Sequence, residues 1–229
     1  MPLDPIAQFT VWVIPVLFAV TVHEAAHAYV ANYYGDNTAK MLGRLTLNPI
    51  KHIDMLGTIV IPTAMVLLAG FVFGWAKPVP IDWRKLKNAK KNMIPIAFAG
   101  PFSNLLMGIF WALTLRFAAS FDELNTALWF VIYMASAGIY INTILFVLNL
   151  LPIPPLDGSR IVSGVLPTRM AIPYSKLEPY GFFIIVGLFF IGFLGQILNP
   201  LIESVIHMST YLSGLDATQI NGLLWIIRQ

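Results

Sequence analysis

The sequence contains no cysteine and little charge. Without cysteine the chain forms neither disulfide bonds nor thiolate metal ligands, so a bound metal must be held by histidine, aspartate or glutamate. Charged residues make up 11% of the 229 residues, against about 25% in soluble domains, and 58% are hydrophobic. This composition excludes a soluble domain and predicts an integral membrane protein. The four histidines are His23, His27, His52 and His207.

The first ten residues contain neither lysine nor arginine. A secretory signal peptide carries a basic region there and a small-residue cleavage site, so we expect the first apolar helix to be retained. The net charge is +3, and the basic residues cluster at the edges of the apolar segments. Because basic loops stay cytoplasmic, we interpret this charge as a topology signal and expect no nucleic-acid partner.

The first apolar run contains the motif His23-Glu24-x-x-His27. On a helix the two histidines lie one turn apart on the same face, where both imidazoles can bind one metal ion. Glu24 is close enough to reach a water on that ion. A polar residue in a membrane helix is often a packing hydrogen bond, but three ionisable residues within five positions favour a functional site. We predict one zinc ion per chain, with a third ligand from elsewhere and an open position for water.

The apolar segments predict an all-α polytopic membrane protein with about 4–6 membrane helices, including a re-entrant or extra span. The predicted crossings are residues 6–34, 94–117, 127–151 and 181–198. Basic residues flank residues 53–75 on both sides, so we interpret that segment as a re-entrant hairpin, with a full crossing as the alternative. A small β element is expected after the first helix, because residues 45–47 suit a short strand.

Residues 199–229 are too polar to cross, and their helical apolar spacing predicts an amphipathic helix on the outer surface. The predicted topology places the N-terminus outside. Residues 1–229 are expected to form a single membrane-embedded domain. Its core would comprise residues 6–160, with a C-terminal helix and tail over residues 181–229.

Asp157 is the leading candidate for the third zinc ligand. It follows the prolines that end the 127–151 helix, on the membrane side where the first span also ends, and Gly158 permits close approach. Two imidazoles, one carboxylate and a water form a catalytic zinc set. An Asp-Gly pair is also a common turn, and the residues alone leave both interpretations open. Weaker acidic candidates are Asp54, Asp82, Asp122 and Glu123.

Two asparagines are candidates for binding the backbone of an unwound substrate. Asn104 lies between Gly100 and Gly108 at a spacing of four, on a small and polar face that lets membrane helices approach closely. Asn149 directly precedes the proline-rich break, where it can bind freed carbonyl groups or substrate. For Asn149 the alternative is an interhelical hydrogen bond.

Three motifs, taken in order, resemble those of the site-2 protease family of intramembrane zinc metalloproteases. They are His23-Glu24-x-x-His27, Gly100-x-x-x-Asn104, and Asn149-Leu150-Leu151-Pro152 leading to Leu156-Asp157-Gly158. The resemblance implies that Asp157 is the third zinc ligand and Glu24 the catalytic carboxylate. It also implies that residues 44–48 form a short sheet-like element that helps to hold substrate. Residues 43–54 and 74–80 resemble a compact prokaryotic branch without PDZ or CBS domains.

The resemblance implies an enzyme that hydrolyses peptide bonds within or near transmembrane segments, as in regulated intramembrane proteolysis. The expected partners are a transmembrane protein substrate, the lipid bilayer and, as an open alternative, a regulatory membrane protein. The expected location is the prokaryotic cytoplasmic membrane, with the site toward the cytoplasm.

A membrane metal-ion carrier and an inactive protease-like scaffold are the alternative functions. A carrier should show polar residues at several depths of several spans, whereas here they gather around one site. The intact Glu24 argues against a scaffold. For His52 we favour a polar interfacial role over a second metal site.

Overall fold

The computed structural model describes residues 4–61, 76–121, 123, 125–216, 218–219 and 222–223. Every regular element in this part of the chain is helical, as expected for an all-α protein. The α-helices are α1 (Pro5–Tyr33), α2 (Thr38–Met41), α3 (Ala89–Ala119), α4 (Thr126–Asn149), α5 (Asp157–Val165), α6 (Thr168–Ser175), α7 (Gly181–Phe190) and α8 (Phe193–Ser213). Short 3-10 turns lie at Pro49–His52, Trp83–Lys85 and Glu178–Tyr180, and a π-helical turn lies at Met55–Val60.

Helix α1 is delimited by residues suited to helix ends. The Asp4 carboxylate accepts two hydrogen bonds from backbone N–H groups of the first turn, which have no partner within the helix. The helix ends at Tyr33, and the chain turns away through Gly35 at a φ of 106°, a conformation that glycine adopts without strain. This end agrees with the boundary predicted from the sequence.

Helices α1, α3 and α4 form a bundle of three candidate membrane spans. They contain 29, 31 and 24 residues. At 1.5 Å per residue, helices of this size are roughly 36–46 Å long, more than the ~30 Å hydrocarbon core of a bilayer. Their shared interior includes Val11, Trp111 and Ile139. Gly138 of α4 lies against the Trp111 indole, so the absence of a side chain on Gly138 makes room for this ring between α3 and α4.

The outer surface of this bundle is rich in large apolar side chains. Phe9 and Phe18 on α1, and Phe110 and Phe117 on α3, are all exposed. A soluble monomer rarely exposes so much apolar surface, whereas lipid accepts it. The outward-facing aromatic side chains therefore fit a bundle that lies in a bilayer.

The predicted β element after the first helix is not found among the described residues. Residues 44–48 are irregular, with a bend at residues 45–46 and no strand pairing, and the Asn48 side chain instead caps the turn at Pro49–His52. A short strand needs a neighbour that pairs with its backbone, and here Arg44 is held through its side chain to the Lys77 carbonyl. Most of the predicted re-entrant segment, residues 62–75, lies outside the described residues.

The predicted final span over residues 181–198 is not one straight helix. Thr168–Phe190 and helix α8 are bent by 83° relative to each other at a break that contains Gly192, whose φ is 73°. Helix α8 therefore begins before the predicted tail and packs against α3 and α4. The described residues provide three candidate spans, or four if the bent pair counts as one. The predicted count of 4–6 is not confirmed.

Candidate metal centre

The two histidines and Asp157 converge on one point in the interior of the bundle. Nε2 of His23 lies 3.1 Å from Nε2 of His27. The Asp157 Oδ2 atom lies 3.1 Å from His23 Nε2 and 3.3 Å from His27 Nε2. Both imidazoles are buried, and the Asp157 side chain is 14% exposed. The structure thus brings together the three residues that the sequence suggested as ligands.

This triangle has the dimensions of one face of a zinc site. Ligand atoms 2.0–2.1 Å from a tetrahedral zinc ion lie about 3.3 Å apart. The three observed separations are 3.1, 3.1 and 3.3 Å. Oδ2 of Asp157 is buried and has no hydrogen-bond donor among the described residues, which is unusual for a carboxylate oxygen. The spacing and this unpaired oxygen fit a bound cation.

Helix α3 fixes the tautomers of the two imidazoles. His27 Nδ1 lies 2.7 Å from the backbone carbonyl of Ile96, which only accepts hydrogen bonds, so Nδ1 must carry the proton. His23 Nδ1 lies 2.7 Å from Oδ1 of Asn104, which likewise accepts. In a neutral imidazole the other nitrogen is then unprotonated. Both Nε2 lone pairs therefore face the Asp157 carboxylate, as a metal site requires.

Gly100 provides the space in which the imidazoles meet. Ile96, Gly100 and Asn104 are spaced by four and lie on one face of α3, with the glycine between the two hydrogen-bond acceptors. A Cβ atom on Gly100 would collide with Nε2 of both His23 and His27. Any larger residue at this position would therefore fill the volume beside the metal-facing nitrogens.

Asp157 is positioned by the break that follows α4. It is the first residue of α5, which packs against α3. Gly158 lies directly against the Leu150 and Leu151 carbonyl groups, so the close approach expected of this glycine is present.

Glu24 faces a different partner. Its Oε2 atom accepts a hydrogen bond of 2.7 Å from the backbone N–H of Val79. Val79 belongs to residues 76–80, which we name the strap. Arg44 donates to the Lys77 carbonyl at 2.7 Å, and the Lys77 N–H donates to the His52 carbonyl at 3.0 Å.

The strap is therefore tied at Lys77 and, two residues later, orients the Glu24 carboxylate. Lys77 and Val79 each precede a proline, which biases both toward extended backbone. Sequence reasoning did not identify this contact. The local signal for it is the Lys-Pro-Val-Pro pattern of residues 77–80: proline has no N–H group, so only Lys77 and Val79 of these four residues can donate a backbone hydrogen bond.

The two predicted substrate-binding asparagines lie in different surroundings. Asn104 is fully buried, and its Nδ2 donates to the Ala19 carbonyl at 3.2 Å and to Oδ1 of Asn142 at 3.0 Å. Because Oδ1 of Asn104 also contacts Nδ1 of His23, both polar atoms of this amide are already hydrogen-bonded within the protein and do not face a substrate. Asn149 is half-buried, and its Nδ2 donates to the Leu145 carbonyl one turn earlier.

Asp54, Asp82 and His52 have local roles in the described structure, whereas Asp122 lies outside the described residues. Asp54 and Asp82 cap the turns that follow them. His52 is buried, with Nε2 2.9 Å from the Thr46 carbonyl. Among the described residues, the group that could hold a metal ion is His23, His27 and Asp157.

Comparison with known proteins gives consistent results. A family model described as “Peptidase family M50” matches residues 118–192. The chain is 39% identical over 202 residues to a Bacillus subtilis protein named “Putative zinc metalloprotease YwhC”, which covers 87% of this chain and 89% of that protein.

Two further relatives carry the name “Putative zinc metalloprotease Rip2”. The Mycolicibacterium smegmatis protein is 30% identical over 188 residues, which is 82% of this chain and 69% of that protein. The Mycobacterium tuberculosis protein is 28% identical over 219 residues, which is 93% and 79% of the two chains. No solved structure gives a significant match.

Proposed function

Because this chain belongs to peptidase family M50, the site-2 protease family, we propose that His23, His27 and Asp157 hold its catalytic zinc ion. Membership of this family identifies the chain as an integral membrane zinc metalloprotease. The observation that carries the ligand assignment is the triangle of Nε2, Nε2 and Oδ2 atoms, 3.1–3.3 Å apart. Both histidines donate through Nδ1, which leaves the metal-facing lone pairs free.

Bound zinc supplies Lewis-acid polarisation of the scissile carbonyl and lowers the pKa of a water molecule. We assign Glu24 as the general base that accepts a proton from that water and later donates it to the leaving amine. The Val79 N–H occupies Oε2 of Glu24, so Oε1 is the oxygen we assign to proton transfer. Asp157 serves as the third ligand through its carboxylate.

We propose that the substrates are transmembrane segments of other proteins, because His23 and His27 lie in α1, a candidate membrane span. A substrate helix must unwind before one of its peptide bonds becomes accessible. We assign Asn149, half-buried at the end of α4, to the backbone of the unwound segment. Asn104 is assigned a positioning role at His23, because its buried amide is fully used.

The proposed orientation places the site toward the cytoplasm in a prokaryotic cytoplasmic membrane. Basic residues dominate the loops at the membrane side where α1 ends and α3 begins, and basic loops are retained in the cytoplasm. Water reaches the zinc site from that side. A regulatory membrane protein that gates substrate entry belongs to the same proposal.

The test compares wild-type protein with Glu24→Gln. Both are purified in detergent, assayed for zinc content, and incubated with a quenched fluorescent peptide that has an apolar transmembrane core. We expect equal zinc content, cleavage by wild type that 1,10-phenanthroline abolishes, and loss of at least about 100-fold in the variant, the low range for general base catalysis. Wild-type cleavage rates in Glu24→Gln would refute the role of Glu24. Zinc flux in vesicles without peptide cleavage would favour a carrier.

A further inference from the structure

Asn142 is a second buried asparagine on the path that leads away from the metal centre. It lies in α4, a candidate membrane span, and its side chain is fully buried. A polar side chain at such a position is energetically unfavourable unless it is paired, and it commonly marks a functional element. The hydrogen bonds of Asn142 go to Asn104 and Gly138, and neither joins it directly to a metal ligand.

The hydrogen bonds of Asn142 have a direction that the backbone determines. Its Nδ2 donates to the Gly138 carbonyl at 2.8 Å, and a carbonyl can only accept. Oδ1 of Asn142 must therefore face Asn104, where it accepts from Nδ2 at 3.0 Å. This leaves Oδ1 of Asn104 turned toward Nδ1 of His23.

We infer that Asn142 is a positioning residue of the zinc site, which acts through Asn104 to fix the tautomer and ring orientation of His23. The inference rests on the proposed zinc site. The Gly138 carbonyl sets the direction of the whole chain of hydrogen bonds, and the last of them places the proton on His23 Nδ1. His23 Nε2 is then left as an unprotonated ligand atom. Outer partners of a ligating histidine raise metal affinity in this way.

Asn104 is held in this orientation by two acceptors. Its Nδ2 donates to the Ala19 carbonyl at 3.2 Å as well as to Asn142. Without Asn142, one buried N–H group loses its acceptor, and rotation of the amide becomes the way to relieve it. That rotation would remove the acceptor from His23 Nδ1. Because the Ala19 contact remains, loss of Asn142 should weaken zinc binding and not abolish it.

A simpler role for Asn142 is a packing hydrogen bond between α3 and α4. Such a bond would stabilise the bundle and leave the zinc affinity of the folded protein unchanged. Ser136 of the same helix provides the comparison. It is also fully buried, but its hydroxyl donates to the Ile132 carbonyl of its own helix and takes no part in the path to His23.

The experiment measures the zinc dissociation constant by chelator competition, and Tm, for detergent-purified full-length variants. Asn142→Leu replaces the amide with an apolar group of similar size. We expect its zinc dissociation constant to rise about tenfold, the low end of the effect of outer-sphere substitutions. Ser136→Ala should keep the wild-type constant. His27→Ala, measured in parallel, should lose the site.

A dissociation constant in Asn142→Leu within about twofold of wild type would overturn the inference, since outer-sphere partners change affinity by tenfold or more. If Asn142→Leu folds poorly, Asn142→Ser takes its place, because its hydroxyl is one bond shorter and falls short of Asn104. A wild-type protein whose zinc affinity does not depend on His27 would refute the proposed zinc site and this inference with it. A normal wild-type site with no Asn142 effect refutes the inference alone.

Discussion

Replacement of Gly100 by alanine tests the geometry of the metal centre with a single methyl group. An alanine Cβ would lie 2.6 Å from Nε2 and from Cε1 of His23, and in collision with Nε2 of His27. Ordinary contacts begin at 3.4 Å, so His23 would have to retreat by about 0.8 Å (3.4 − 2.6). Zinc–ligand distances in a well-formed site vary by only about 0.2 Å. His23 cannot make room for the methyl group and remain a ligand.

We expect Gly100→Ala to lower zinc affinity by more than about 100-fold, beyond the range of outer-sphere substitutions. The imidazoles have little freedom to adjust, because Ile96 and Asn104 hold both Nδ1 atoms from the same helix. The assay is chelator competition with purified protein, with Tm recorded for the metal-free form. Alanine is a better helix former than glycine by roughly 1 kcal/mol, so a loss of zinc would not reflect a weakened helix.

Gly108→Ala is the matched control. Gly108 is buried on the same helix, two further turns along the same face, and a Cβ there meets only Asn142 Cβ at 3.9 Å, an ordinary contact. We expect zinc affinity close to wild type in this variant. A folded Gly100→Ala protein that binds zinc as tightly as Gly108→Ala would refute the arrangement of the three ligands.

Three further predictions concern the supports of the site. Gly158→Ala should lose zinc binding while the metal-free protein stays folded, because a Cβ there would collide with the Leu150 and Leu151 carbonyl groups and displace Asp157. The measurement is bound zinc per chain, and full zinc occupancy of the variant would contradict the prediction. Arg44→Met should keep zinc but cleave peptide about tenfold more slowly, because it removes the hydrogen bond that holds the strap and leaves Glu24 less well oriented. A charged hydrogen bond contributes roughly 1.5–3 kcal/mol, and 1.4 kcal/mol corresponds to a factor of ten in rate. Exposed Arg116→Met is its control, and equal rates in the two variants would count against the strap. Removal of zinc should lower Tm, because a ligand at 100 times its dissociation constant stabilises the folded state by about 2.7 kcal/mol; an unchanged Tm would show that no bound metal contributes to folding.

Much of the site could be predicted from local spacing. His23 and His27 need only a helix to share one face, and the long apolar run supplies that helix. The end of α1 followed from Gly35. The Gly158 contact was anticipated because a glycine after a proline-rich break usually permits a close approach.

The contacts between elements could not be predicted in the same way. The Asn104–Asn142 hydrogen bond depends on how α3 and α4 are rotated against each other, and both helices carry apolar residues on all sides. The Val79–Glu24 contact joins residues 55 positions apart through a backbone N–H, which leaves no signature in side-chain chemistry. The sequence therefore suggests Asn104 as a substrate-binding residue, whereas in the structure its Oδ1 atom faces Nδ1 of His23.

The β element and the final span each differ from the sequence prediction for a physical reason. Residues 45–47 have strand propensity, but a strand forms only where another backbone pairs with it. The apolar segment after residue 180 is long enough to span, yet Gly192 adopts a left-handed conformation and divides it. The first difference reflects a missing backbone partner, whereas the second arises from the conformation of a single glycine.

The most direct test of the metal centre is the zinc content per chain of the detergent-purified protein, wild type against Asp157→Ala and Glu24→Gln. The arrangement of His23, His27 and Asp157 predicts about one zinc in wild type and in Glu24→Gln, the stoichiometry of a mononuclear catalytic site, and loss of zinc in Asp157→Ala. A folded Asp157→Ala protein that retains one zinc would contradict the account, because the third ligand would then lie elsewhere.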